Sequence, residues 1–481
     1  MVQVIVAGLV TFGLYCFLNR HLTVRQIGTW SVVLAGAAAG RLIDFGLGGG
    51  VVRFVAHHLG NGARAQAAAT IQMALVGMAV LFGCIAAALF PLLRAGLGQL
   101  IRDPVSQSDA RMLLPFALVA LVFGALSGVT LSALDGCQRL DLRALLGCIG
   151  AVVQFVVAYL LVPESGLRGL AVAQVVQGVV MLALALALLR GLIGSALFNL
   201  SGWSRTSFRS LLVYGGGFQA AALGHLLFEP AVKVILTRFS GLEFAGYYEM
   251  ANQLVLQARN ILVSAYQSLV PYVAGSQRSD GQIRDLYLPS YQLLFFFAAI
   301  GFGLIGLGLP CVLQVWLGHY DPVFLGVAEL CLFGWAVNTM NVPAYYMFLG
   351  LGALRWPVVT HLATGLCATV LGIMLGSLFG GFGVVAAVTI ALAFTSHIVT
   401  WAFIRRYRIP AGTSVPHESV MLAACAMLGT IVTLALALYG RSGVEPWVLG
   451  AGVAGTVSLA LLLSRNRNMG VVMGLLRELH G

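Results

Sequence analysis

The chain has 481 residues, of which 60% are hydrophobic and only 9% charged, whereas a soluble domain carries about 25% charged residues. Divided into about fourteen apolar stretches of roughly 22 residues each, it leaves roughly 170 residues for connections and tails. That excludes a water-soluble enzyme, a nucleic-acid reader and a receptor with a folded ectodomain, and it leaves transporters, channels and enzymes built within the bilayer; the formal charge of +11 sits mostly in short loops, where it orients the chain.

The first apolar run, Val2 to Leu18, has no basic segment before it and no small-residue cleavage site after it. It reads as a retained first span. Long apolar runs broken by Gly, Pro and Arg predict spans near 2–19, 28–56, 67–93, 111–134, 143–162, 168–190, 211–237, 245–274, 286–313, 323–350, 356–378, 381–404, 418–439 and 444–464. The longest outer connection is expected around 94–110 and the longest inner one at 191–210. With both termini cytoplasmic, the inner loops collect Arg64, Arg139, Arg143, Arg190, Arg205, Arg209, Arg278, Arg284, Arg355, Arg405, Arg406, Arg408, Arg465, Arg467 and Arg477. The outer loops hold about half as many, which supports that orientation; Arg20 and Arg25 after the first span argue locally against it. The eight cysteines lie nearly all in apolar stretches without a CxxC pair, as small packing residues do.

The halves on either side of 191–210 resemble each other. Arg20, Gly28 and Arg41 fall on Arg238, Gly246 and Arg259 at a constant offset of 218, and Phe54-Val-Ala56 falls on Tyr272-Val-Ala274 at the same offset. Further on, Gly136-Cys-Gln-Arg139 aligns with Gly352-Ala-Leu-Arg355 at 216, and Gly166-Leu-Arg-Gly-Leu with Gly381-Phe-Gly-Val-Val at 215. The expected fold is an all-α polytopic membrane protein of about 14 transmembrane helices. Six-helix bundles at 1–190 and 211–404, related by a parallel pseudo-twofold, are joined by the linker 191–210 and followed by two extra helices and a tail at 405–481.

Most of the sixteen acids are read as lying in loops or at span ends, with Asp44 and Glu229 the exceptions. Arg41 and Asp44 share a face of span 2, and Gly46-Leu-Gly-Gly-Gly50 beyond them predicts a bend or unwound turn. Glu229 and Lys233, the only lysine, are one turn apart in span 7, with Pro230 between them to loosen the helix. Arg259 is central in span 8, with Asn252 seven residues earlier on about the same face. An ionised group at a span centre is unfavourable by about 2.5–3.5 kcal/mol on insertion scales, so each needs a partner or water. One reading makes Arg41–Asp44 and Glu229–Lys233 local ion pairs bracing helix contacts. The other has these groups line a hydrated cavity between the halves, where Arg41 and Arg259 bind a polyanion such as a diphosphate through their guanidinium forks. On the second reading the substrate-binding candidates are Arg41, Arg259, Lys233, Arg53 and Asn252, and the coupling-ion candidates are Asp44 and Glu229; no catalytic or metal-ligating set and no cofactor motif is expected.

Several stretches carry a resemblance: Asp44-Phe-Gly-Leu-Gly-Gly-Gly-Val-Val-Arg-Phe-Val-Ala56, Leu134-Asp-Gly-Cys-Gln-Arg-Leu-Asp141, Gly241-Leu-Glu-Phe-Ala-Gly-Tyr-Tyr-Glu-Met-Ala251, Trp316-Leu-Gly318, and Gly352-Ala-Leu-Arg-Trp-Pro357 leading to Gly381-Phe-Gly-Val-Val-Ala-Ala387. Over roughly residues 1–405 the chain resembles the polysaccharide-transport branch of the multidrug/oligosaccharidyl-lipid/polysaccharide flippase superfamily, the lipid-linked O-antigen repeat-unit flippases. Members often carry a basic amphipathic segment before the first span, a feature this chain departs from. The resemblance implies alternating access that moves an undecaprenyl-diphosphate-linked oligosaccharide from the inner to the outer leaflet of a bacterial inner membrane. It also implies a coupling ion (proton or sodium) or the membrane potential, and membrane lipid and other polysaccharide-assembly proteins as partners, without nucleic acid. The alternatives are an ion-coupled multidrug or metabolite exporter of the same superfamily and a membrane-embedded glycan polymerase; the polymerase lacks the long outer loop it would need.

Overall fold

The structure is a computed structural model and describes residues 2–40, 47–194, 205–267, 269–274, 280–319, 321–409, 417–439 and 455. Fourteen helices follow one another in the described residues: α1 (Val2–His21), α2 (Val24–Ala38), α3 (Leu47–Gly60), α4 (Arg64–Leu100), α5 (Pro104–Gly136), α6 (Leu140–Ser165), α7 (Leu167–Ile193), α8 (Arg205–Tyr266), α9 (Leu269–Ala274), α10 (Asp280–Leu317), α11 (Pro322–Thr339), α12 (Val342–Gly350), α13 (Arg355–Arg406) and α14 (His417–Tyr439). Eight of them are long and apolar enough to cross a membrane. Their outer faces keep large apolar side chains exposed, Leu378 at 72% and Phe394 at 71% among them, a surface suited to lipid and not to water. The protein is an all-α polytopic membrane protein.

The chain forms two compact units, Val2–Gly246 and Tyr247–Gly481. In the first, α6 packs on α7 and α1, and α5 on α2, α3, α4 and α7. Thr23 opens α2 with a capping box closed by Gln26. At the start of α6, Arg139 grips Asp141 through two hydrogen bonds of 2.9 and 2.8 Å. In the second unit, α11 packs on α10, α13 and α14, and α12 on α9, α10 and α13. Hydroxyls link these helices: Tyr266 donates to Ser290 O at 2.9 Å, Thr389 donates to Leu330 O at 2.8 Å, and Thr364 and Thr395 meet at 2.5 Å. Bonds of this kind supply specificity where the lipid offers no hydrophobic contrast.

Matching backbone features recur at fixed offsets along the chain. Asp103 caps α5 ahead of Pro104, and Asp321 caps α11 ahead of Pro322, at the offset of 218 set by Gly28 and Gly246. The left-handed residues that end helices then recur at 214: Gln138 and Gly352, Gly166 and Gly380, Gly194 and Arg408. Gly166 (φ 53°, ψ −131°) and Gly380 (φ 63°, ψ −142°) share one conformation. After each of them a glycine lets two helices touch: a Cβ on Gly169 would lie 2.6 Å from Leu161 O, and one on Gly383 would lie 2.1 Å from Leu375 O.

The four residues lost between the two offsets are about one helical turn. They are lost where α5 runs unbroken in the first half while α11 and α12 are separated at Met340–Asn341 in the second. The structure therefore corrects the sequence alignment late in the repeat from 216 and 215 to 214. The stretch 94–110 is almost all helix, since α4 and α5 extend to within a few residues of each other. Within predicted span 2, α2 ends at Ala38 and α3 begins at Leu47; Gly48, Gly49 and Gly50 lie in the first turn of α3, and Gly46 lies outside the described residues. Pro230 lies inside α8, whose backbone departs from helix at Gly241 (φ 79°, ψ −178°), a conformation only glycine adopts without strain.

Gly28 of α2 and Gly246 of α8 explain why glycine stands at both repeat-related positions. A Cβ on Gly28 would lie 1.8 Å from Leu242 O, and a Cβ on Gly246 would lie 2.2 Å from Val24 O. Leu242 and Val24 are themselves 218 apart, so the contact reads the same from either side. Gly28→Ala therefore pushes a methyl into backbone that cannot rotate away, and the folded protein should lose about 1–3 kcal/mol. Gly83→Ala, where a Cβ meets nothing within 4 Å, should be neutral or stabilising. Thermal unfolding in detergent, followed by size-exclusion chromatography, checks both; equal midpoints for the two variants would refute the close-contact account.

Candidate functional site

In the second unit, the leg of α8 beyond Gly241 carries Asn252 and Arg259 seven residues apart, two helical turns along one face. That spacing lets both reach one side chain of α11. Trp335 Nε1 donates to Asn252 Oδ1 at 2.8 Å, while the guanidinium carbon of Arg259 sits 4.9 Å from the centre of the Trp335 ring. Asn338, one turn on, accepts from Arg259 Nη2 at 3.1 Å. Arg259 Nε is buried without an acceptor, and among the described residues no carboxylate forms an ion pair with this arginine. Tyr345 and Tyr346 of α12 are close enough to interact electrostatically with the guanidinium. Tyr345 also meets His361 of α13, hydroxyl to Nε2, at 3.3 Å.

The arrangement holds a delocalised cation by its face and one edge and leaves Nε without a protein partner. A planar fork of this kind suits a bidentate anion. The sequence reading therefore finds Arg259 and Asn252 brought together, through Trp335, which it did not anticipate. An indole at mid-span followed by Asn338 and Asn341 was the available signal.

The other candidates are distributed differently. Glu229 and Lys233 form an ion pair of 2.8 Å one helical turn apart, with Lys233 buried and Glu229 half-exposed, in the first unit. Arg53 is exposed on α3 and engaged by a neighbour. Arg41 and Asp44 lie outside the described residues. Two buried acids within spans were missed: Glu249 of α8, which accepts from Gln253 at 3.1 Å, and Glu329 of α11. Both stand inside predicted spans, so a residue-by-residue count of span acids finds them. Among the described residues no group of His, Cys, Asp and Glu is placed to hold a metal, and all eight cysteines are free thiols.

The sequence profile described as "Polysaccharide biosynthesis protein" matches residues 1–277. The chain belongs to that family. No curated protein sequence matches it. Its fold is similar to the inward-facing conformation of a multidrug resistance MATE family transporter of the MOP superfamily, at 14% identity and a TM-score of 0.72 over 84% of this chain and 94% of that one. It is also similar to the lipid II flippase MurJ in an inward closed conformation, at 12% identity and a TM-score of 0.64 over 94% and 98%. A MOP superfamily transporter from Pyrococcus furiosus, described as having a binding pocket of reversed polarity, matches with 14% identity and a TM-score of 0.53 over 84% and 95%. These likenesses show the fold that the chain shares with those proteins.

The hydrogen bond from Trp335 to Asn252 predicts energetic coupling between these two residues. Trp335→Phe and Asn252→Ala each remove the same hydrogen bond, so their effects on stability should not add. A double-mutant cycle on thermal or denaturant unfolding should give an interaction of about 0.5–2 kcal/mol. Strict additivity would show that the 2.8 Å bond contributes nothing.

Proposed function

We propose that this chain is a flippase that moves a polyprenyl-diphosphate-linked oligosaccharide, an O-antigen or exopolysaccharide repeat unit, from the inner to the outer leaflet of the bacterial inner membrane. Membership of the polysaccharide biosynthesis family carries the reading. In this proposal the bundles 1–190 and 211–404 are pseudo-twofold mates that rock about a central cavity, with both termini cytoplasmic. The region 191–210 serves as linker and 405–481 as an appendage outside the repeat. Arg259, with Asn252, binds the diphosphate from one bundle, and its repeat-mate Arg41, with Arg53 and Lys233, does so from the other. An arginine without a carboxylate partner inside a membrane protein is what a dianionic headgroup requires. Asp44 and Glu229 are the candidate groups for a coupling proton or sodium ion.

A second reading, an ion-coupled exporter of drugs or metabolites, is supported by the higher TM-score with the multidrug transporter, 0.72 against 0.64 for the flippase. The two readings separate in a strain deleted for this gene. The first predicts loss of surface glycan and build-up of lipid-linked repeat unit; the second predicts drug sensitivity with normal glycan.

On the first reading, Arg259→Ala abolishes export of the lipid-linked glycan while membrane levels stay normal, and Arg259→Lys, which lacks the fork, restores it only in part. Wild-type export by an Arg41→Ala, Arg259→Ala double variant would end the diphosphate proposal. Asp44→Asn is expected to keep membrane levels but to make transport independent of the ion gradient. If transport by Asp44→Asn keeps the wild-type rate and gradient dependence, the coupling role passes to Glu229.

A further inference from the structure

Within the unit that follows Gly246, α10, α11 and α14 surround a cavity of about 530 Å³, inside the range of roughly 300–1,000 Å³ typical of small-molecule sites. Its wall is apolar, with Phe295 and Phe302 from α10, Phe333 from α11 and Met427 from α14. Glu329 is the exception. It stands about 10 Å along α11 from the helix start, is only 6% exposed, and neither of its carboxyl oxygens has a hydrogen-bond partner. Thr430 supplies the one hydroxyl in the lining.

We propose that this cavity binds an apolar organic monocation, with its ammonium or phosphonium centre against Glu329 and its body among Phe295, Phe302 and Phe333. An acid inside a span carries its charge favourably only beside a counter-charge, and intramembrane ionisable groups mark ligand and ion pathways. A hard inorganic cation would require about six oxygens, and the lining provides one carboxylate and one hydroxyl. Aromatic faces attract a poorly hydrated organic cation, while an anion would meet the carboxylate's repulsion. The site is separate from the Arg259 cluster. Trp335 and Asn338 turn one face of α11 toward the arginine, whereas Glu329, Phe333, Ala336 and Met340 present the other to the cavity. It goes beyond the flippase reading and does not depend on it.

The test uses the full-length protein in lipid nanodiscs, titrated with tetraphenylphosphonium and with tetraphenylborate, which share a shape and differ in charge. Empty nanodiscs correct for partition into lipid. Saturable binding of the phosphonium alone is expected, weakened at least about tenfold by Glu329→Gln and nearly preserved in Glu329→Asp. Ala336→Phe, which keeps the carboxylate and fills the cavity, should also weaken it. Equal binding of the two probes, or phosphonium binding unchanged in both Glu329→Gln and Ala336→Phe, would overturn the proposal. If Glu329→Gln does not fold, the filled variant and the charge-reversed probe still decide. Glycan export, assayed in the same variants, reports separately on the flippase reading.

Discussion

In a hydrocarbon environment every backbone N–H and C=O must find its partner within the protein, and that constraint organises this chain. It leaves helices as the only spanning element among the described residues and makes each helix end a problem to be solved with few residues. The solutions are few and recur. Asp103 and Asp321 satisfy the first amides of α5 and α11. Left-handed residues close the other ends, as where Arg139 N returns to Leu134 O and, in the second half, Ala353 N to Phe348 O. Equal hydrogen bonds at equal offsets are hard to reach independently, because each depends on one residue in an uncommon conformation.

The same constraint gives glycine its second use. Apolar helices gain nothing from hydrophobic exclusion when lipid is the alternative, so they associate where small residues let backbones approach. Gly28 and Gly246 do this for α2 and α8, and Gly169 and Gly383 do it beside the two left-handed turns. The conformational freedom glycine brings costs helix stability. It is kept here where a methyl group would overlap a carbonyl oxygen.

Composition alone showed the class, because a bilayer's hydrocarbon core demands long apolar stretches with few charges. The first part of the repeat was legible for the same reason that it was conserved in both halves: Gly28 and Gly246 have no substitute. The later offsets were misread because the deciding residues, Gln138 and Arg408 among them, adopt a glycine-like backbone without being glycine. The break at Met340–Asn341 was hidden within an unbroken apolar run. At the site, the seven-residue spacing of Asn252 and Arg259 was visible. Their common partner was not, since Trp335 lies far along the chain and only packing brings it to them. Glu329 was not legible because no basic residue stands near it along the chain to mark it.

That contrast gives α11 its particular character. One face offers Trp335 and Asn338 to a guanidinium that no described carboxylate neutralises; the other carries a carboxylate that no described base neutralises. Were the two charges adjacent they would pair, and neither would be open to a ligand, as the Glu229–Lys233 pair illustrates at 2.8 Å. Setting them on opposite faces of one helix keeps both available at the expense of stability. It also ties them mechanically, because any rotation or shift of α11 that re-aims Asn338 at the arginine moves Glu329 within its apolar cavity. An anion at Arg259 and an organic cation at Glu329 would thus bias the same rigid element, which is the physical requirement for two sites to influence each other.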